Sequence, residues 1–259
     1  MPTFSLKDWM DTTLPEAGVE EFLVLQERPG GRSKIEVAIQ DTVKDHLAGL
    51  DIVERIGGYK KTLSYIRNKL PMAKRVRSGD FGEILASEYI DQCTEYRVPI
   101  KRLRWKDDRD TTMRGNDVIA IKKRIKRWCL LKAESKSRAT LSETVVKQAV
   151  DGLDKDAGRP HPSSLAFISS RLRELHRDAE AAVFEDLQSR SPKSDEIEHL
   201  VFTLSGNNPT NHLKKHLGKK TAPIRRHLVG CVITEHQQFI KTIFDRIHAG
   251  NTRRNRRAS

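Results

Sequence analysis

The chain has 259 residues, 37% of them hydrophobic and 32% charged, and a formal net charge of +13. That length suits one large domain or two small ones with a real core, and no apolar run approaches the roughly 20 residues that span a bilayer. The three cysteines, Cys93, Cys129 and Cys231, lie far apart with no CxxC spacing, which argues against both a zinc cluster and a disulfide framework. A reducing cytoplasm is the natural setting, and the opening MPTFSLKDWMD lacks the basic-then-apolar layout of a signal peptide.

Charge is unevenly spread. Residues 1–94 carry a net −2, 95–140 a net +9, 141–210 a net −4 and 211–259 a net +10. Two separated basic blocks favour a polyanionic partner, most often nucleic acid. The tail TRRNRRAS reads equally as a disordered basic arm.

In chain order, a short strand is expected at Phe22–Gln26, followed by the turn RPGGRS. Ile35, Ala38, Ile39, Val43 and Leu47 fall at helical spacing, so Lys34–Leu50 reads as an amphipathic helix, and a second helix covers Tyr59–Lys69 before Pro71. Asp80 and Glu83 have the spacing of a capping box at the start of a helix that runs to about Cys93. VPIKRLRW alternates like a half-exposed strand through Val98, Ile100 and Leu103 or Trp105.

Two apolar runs, Val118–Ile121 and Trp128–Ala133, flank a basic loop around Arg124–Arg127, the outline of a β-hairpin. With the turn on Ile125-Lys126, paired residues have numbers summing to 251 and Asp117 faces Glu134, about 5 Å apart at Cβ. Facing carboxylates repel, and a bound cation reverses the sign of that interaction. Glu134 and Lys136, two apart on one strand, share its face. Ser142–Ala157 reads as a helix capped by Ser142. Leu165–Ser169, His199–Leu204 and Leu228–Thr234 read as strands, and Ala179–Gln188 and Gln237–His248 as helices. The succession indicates an α+β or α/β fold with a mixed central sheet.

Paired carboxylates beside a lysine are the parts that phosphodiester hydrolysis needs: oxygen ligands for Mg²⁺, a metal to polarise phosphate and acidify water, and a cation for developing negative charge. Asp117, with Glu134-Ser135-Lys136 after 16 intervening residues, resembles the D…(D/E)XK signature of the PD-(D/E)XK nuclease superfamily. Asn116 stands where the signature has proline. Glu83 resembles the acidic position of the preceding helix, although it reads equally as a capping residue. Gln148 resembles a glutamine found after the lysine in several branches, although it reads equally as a solvated helix residue. RSGDFGEILASEYI, VPIKRLRWKDDRD, RGNDVIAI and LLKAESKSR are together similar to the nuclease subunits of the Hachiman antiphage defence system, the HamA family.

The resemblance implies a restriction-endonuclease-like core at 76–250, with a mostly helical N-terminal extension at 1–75 and a basic tail at 251–259. It implies a cytoplasmic, Mg²⁺- or Mn²⁺-dependent deoxyribonuclease. Asp117, Glu134 and Glu83 would be metal ligands, with Lys136 and Gln148 completing the catalytic set. The implied partners are DNA and a superfamily 2-type, HamB-like ATP-dependent helicase subunit. The basic residues expected to contact DNA are Lys122, Lys123, Arg124, Lys126, Arg127, Arg138, Lys214, Lys215, Lys219 and Lys220. The competing reading is a catalytically inactive nuclease-fold subunit that binds DNA or acts as a scaffold. The nine histidines have no cysteine partners, and no GxxxxGK[ST] loop for ATP occurs in the chain.

Overall fold

The computed structural model describes residues 4–16, 19, 21–125, 127–218 and 223–250. Helix α1 (Leu6–Trp9) leads into strands β1 (Met10–Thr13) and β2 (Phe22–Glu27). Helices α2 (Gly31–Ala48), α3 (Leu50–Ile56), α4 (Tyr59–Lys69) and α5 (Lys74–Cys93) follow. Next come the hairpin of β3 (Val118–Lys123) and β4 (Trp128–Arg138), then α6 (Glu143–Asp154), α7 (Pro162–Glu174) and α8 (Asp178–Arg190). Strand β5 (Ile197–Ser205), α9 (Thr210–Lys214), β6 (Arg225–Val232) and α10 (His236–Ala249) end the described chain.

The strands form one mixed sheet in the order β1-β2-β6-β5-β4-β3. Strands β2, β6, β5 and β4 run parallel, and β1 and β3 pair antiparallel at the two edges. Parallel strands are covered on both faces and therefore read as continuous apolar runs; β5, Ile197–Ser205, is buried along its whole length. Alternate residues of β4 divide between the two faces. Cys129, Leu131 and Ala133 join a core built with α2, α5 and α10, whereas Leu130 joins one built with α7 and α8. This mixed α/β architecture is the one expected. Among the described residues no helix is long and apolar enough to cross a membrane.

Residues 1–75 build part of this same sheet. β2 lies between β1 and β6, and Ile35, Ile39, Val43 and Leu47 of α2 sit in the same core as Phe81, Leu85 and Phe244. The hairpin register is the expected one: Val118 pairs with Ala133 and Lys123 with Trp128, numbers that sum to 251.

Some expectations are corrected. The segment 98–105 is not a strand. Arg97 makes one bridge to Ile121, and Arg102–Trp105 is a 3₁₀ turn that buries Leu103, with Ile100 buried before it and Trp105 partly buried against the α7–α8 core. Leu165–Ser169 lies inside helix α7, where Leu165, Ile168 and Leu172 repeat at helical spacing behind Pro162, and Pro is at home in the first turn. Asp80 does not cap α5, which begins six residues earlier at Lys74. Its carboxylate instead meets buried Lys106 Nζ at 2.9 Å, while Glu83 turns to Arg102. Helix α6 stops at Asp154, three residues before the expected end, and Ser142 makes no side-chain cap.

Candidate active site

Glu134 and Lys136 lie on the face of β4 that α6 covers, and the fit there is close. A Cβ built on Gly152 of α6 would stand 3.1 Å from both Cδ and Oε2 of Glu134, so a side chain there would push that carboxylate by a few tenths of an ångström. On the opposite face Gly82 of α5 approaches just as closely, with its notional Cβ 2.9 Å from Ser137 Cβ. Two helices therefore grip the Glu134–Ser137 segment through two glycines.

Asp117, immediately before β3, accepts a hydrogen bond at Oδ2 from Ser135 N, 2.9 Å away. Lys136 Nζ lies 3.2 Å from Glu134 Oε2 and 4.0 Å from Asp117 Oδ2. Asn116 is buried; its Oδ1 accepts from His161 N at 2.9 Å, and its own N–H donates to Ser164 Oγ at 3.1 Å. The residue that replaces the signature proline thus ties the start of β3 to the start of α7.

Glu83 projects from α5 toward the same cleft, where Arg102 engages it through two nitrogens: Nε to Oε1 at 2.5 Å and Nη2 to Oε2 at 3.2 Å. The same Nη2 is 3.7 Å from Asp117 Oδ1. Burial, reinforced by the nearby Asp117 charge, pushes the Glu134 carboxyl up to about 7 despite Lys136. Burial likewise raises Glu83 to about 7 against the pull of Arg102, and Asp80 to about 6 against the pull of Lys106. Three raised carboxyls in one place are what a preorganised polar site produces.

A cleft of about 180 Å³ opens here, lined by Arg75, Asp80, Glu83, Arg102, Asp117, Ser135, Lys136 and Arg138 among others. Asp117 and Glu134 supply hard oxygen donors of the type a divalent ion takes. Among the described residues, no group of three or more His, Cys, Asp or Glu side chains is arranged to hold a metal. Gln148 is exposed on α6, one turn before Gly152, and among the described residues makes no hydrogen bond to the other four.

The basic residues expected to touch DNA are dispersed. Lys122 Nζ lies 3.2 Å from Glu198 and 4.3 Å from the Tyr96 ring centre, and Arg124 also reaches Glu198, at 3.3 Å. Arg127 pairs with Asp195, Lys214 with Glu16 and Lys215 with Glu143. Lys123 lies 5.8 Å from the Trp128 ring centre. Lys126, Lys219, Lys220 and the 251–259 tail fall outside the described residues. The hairpin tip is far from the cleft: Trp128 and Lys136 are about 26 Å apart along β4 at ~3.3 Å per residue. Arg138 does line the cleft, and its Nη1 donates to Ser137 O at 2.8 Å.

Two side chains that organise the site carry no mark in the sequence. Arg102 looks like one cation among several in KRLRW, and nothing local identifies it as the partner of Glu83. Lys132, on the Glu134 face, is fully buried and donates to the carbonyls of Leu153, Lys155 and Arg159 at 2.9, 3.2 and 3.0 Å. It thereby satisfies the C-terminal end of α6, whose last carbonyls have no intrahelical donors.

The sequence profile of the HamA family matches residues 7–247, from α1 through most of α10. The chain belongs to the HamA family. The matched region takes in β1, β2 and α2, in agreement with a single sheet that includes the N-terminal third. A relative described as the Hachiman protein HamA of Bacillus cereus is 28% identical over 176 residues, which is 68% of this chain and 62% of the relative. The alignment therefore spans less than two thirds of that HamA protein's length.

Proposed function

We propose that this HamA-family chain is the effector of an antiphage defence system, a metal-dependent deoxyribonuclease that hydrolyses phosphodiester bonds. The observation that supports it most is the convergence of Asp117, Glu134 and Lys136 on one strand end, with the lysine amine 3.2 and 4.0 Å from the two carboxylates.

Asp117 and Glu134 would hold Mg²⁺ or Mn²⁺, which when bound polarises the scissile phosphate and lowers the pKa of a coordinated water. The remaining functions belong to side chains. Lys136 places a positive charge where negative charge develops on the phosphate. The Ser135 N–H and the Gly152 approach fix the orientations of Asp117 and Glu134. Gln148, exposed on the covering helix, would meet the substrate strand.

A nuclease with low sequence specificity endangers its own cell, which is a physical reason for control by a partner. A helicase subunit that withholds this chain from intact DNA is part of the reading. Four of the six exposed large hydrophobic side chains among the described residues, Leu14, Val37, Tyr59 and Met72, lie in the first 75 residues, the part of the chain that would dock that partner.

Cleavage of plasmid DNA with Mg²⁺, by the chain alone and with the helicase, tests the proposal. Wild type should cut in at least one of the two settings, EDTA should stop it, and Lys136→Met should lower the rate by about 10³-fold if the amine stabilises charge in the transition state. DNA binding with no cleavage in either setting would favour the inactive DNA-binding or scaffold subunit.

A further inference from the structure

We propose that Arg102 is the second cation of the cleft, so that the site takes one divalent ion, on Asp117 and Glu134, while Glu83 serves Arg102 and not the metal. This rests on the nuclease reading above.

The geometry carries it. Both oxygens of Glu83 are taken by Arg102, at 2.5 and 3.2 Å, and the two side chains are only 12% and 14% exposed. The guanidinium lies between Glu83 and Asp117, 3.7 Å from Asp117 Oδ1. A divalent ion bridging those two carboxylates would have to share that space with it. Cations that close repel, and the planar guanidinium, held by two bonds to Glu83, cannot swing aside as the flexible Lys136 amine, 3.2 Å from Glu134 Oε2, can. The other edge of Asp117 faces Ser135 N at 2.9 Å and Lys136 at 4.0 Å, and thus lies toward Glu134. The donors left for a metal number two side chains, in keeping with the lack of any three-residue metal group among the described residues.

Arg102 is also held in place. Its neighbours Lys101 and Arg104 both grip Asp45 of α2, Arg104 with Nη2 to Oδ1 at 2.7 Å and Nε to the carbonyl at 2.8 Å. With the flanks anchored on one side, the Arg102 side chain is directed to the other, into the cleft. A fixed planar cation there can receive a phosphate oxygen as a metal would, with no need to bind an ion first. The assignment also gives α2 a role: it anchors the turn that presents Arg102.

Calorimetric titration of the full chain with Mn²⁺, with DNA cleavage followed in parallel, is the test. Wild type should bind one ion. Glu83→Gln should keep that stoichiometry of one, with Kd weakened by no more than about tenfold because Arg102 beside Asp117 loses its neutralising partner. Arg102→Gln should bind Mn²⁺ about tenfold more tightly, because a positive charge beside Asp117 has gone, while cleavage falls by about 100-fold. Arg102→Lys, which keeps the charge, should return the Mn²⁺ affinity toward wild type. Tighter metal binding with slower cleavage does not arise from a damaged fold, which would weaken both. If Arg102→Gln does not fold, the stoichiometry of Glu83→Gln alone distinguishes the one-ion site from a two-ion site. Two ions in wild type with one lost in Glu83→Gln, or unchanged or weaker binding in Arg102→Gln, would overturn the proposal and leave the nuclease reading standing. No Mn²⁺ binding in wild type would overturn both.

Discussion

Glu134 meets two opposed demands, burial against α6 and a charge facing Asp117. Its carboxyl is raised from 4.5 to about 7, so the folded metal-free protein binds a proton that the unfolded chain releases at lower pH. The sign follows: this group's contribution to stability is fully present below about pH 4.5 and is lost as pH rises through about 7. The size is on the order of 1–3 kcal/mol. Glu134→Gln should therefore raise the thermal stability of the metal-free protein at pH 8 and change it little near pH 4.5. Calorimetric melting of the two proteins across that range checks it, and equal Tm differences at both ends would refute it. Lys132 makes the reverse case, a buried cation fully used. Lys132→Met keeps most of the volume but strands three carbonyls, and should cost roughly 2–4 kcal/mol in urea unfolding. A neutral outcome would mean that water replaces the amine.

At the scale of elements, the site is a strand end held between two helices, and Gly152 marks the closer contact with Glu134. In an exposed helix Gly→Ala adds up to about 1 kcal/mol of stability. Here the new methyl would press on Glu134 from 3.1 Å, so Gly152→Ala should slow cleavage at least about tenfold through displacement of a ligand while helix content is kept. Far-UV circular dichroism beside the cleavage rate tests this.

The hairpin and its facing carboxylates were legible in the sequence because a two-residue period and a local turn determine register without help from the rest of the chain. The pairing of Arg102 with Glu83 was not, since it depends on a turn anchored by Asp45, far upstream in α2. The apolar run at Leu165–Ser169 fits either period over five residues, and its continuation to Leu172 is what makes it a helix. Asp80 has the spacing of a cap, but α5 extends backward through a stretch with few apolar residues, where sequence offers no stripe to follow.

At the scale of the molecule, the N-terminal third is structural. β2 occupies an interior position of the sheet and α2 fills its main core, so deletion of residues 1–75 should yield an unfolded or insoluble chain, as judged by circular dichroism and gel filtration. A soluble, cooperatively melting 76–259 fragment would contradict that. Among the described residues the basic blocks resolve largely into ion pairs, whereas Arg75 and Arg138 line the cleft with no acidic partner among them. Reversing those two to glutamate should weaken DNA binding and reduce the salt slope by about two units, more than reversal of the paired Lys214 and Lys215. Equal effects would place the DNA track elsewhere.

The central claim is that Asp117 and Glu134 hold one catalytic ion beside Lys136. Crystals of the chain soaked in Mn²⁺ and measured at the manganese edge test it directly. A single anomalous peak within about 2–2.3 Å of oxygens from both Asp117 and Glu134, absent from Glu134→Gln crystals, is the result expected for a carboxylate-held ion. No peak at saturating Mn²⁺, or one that persists unchanged in Glu134→Gln, would contradict it.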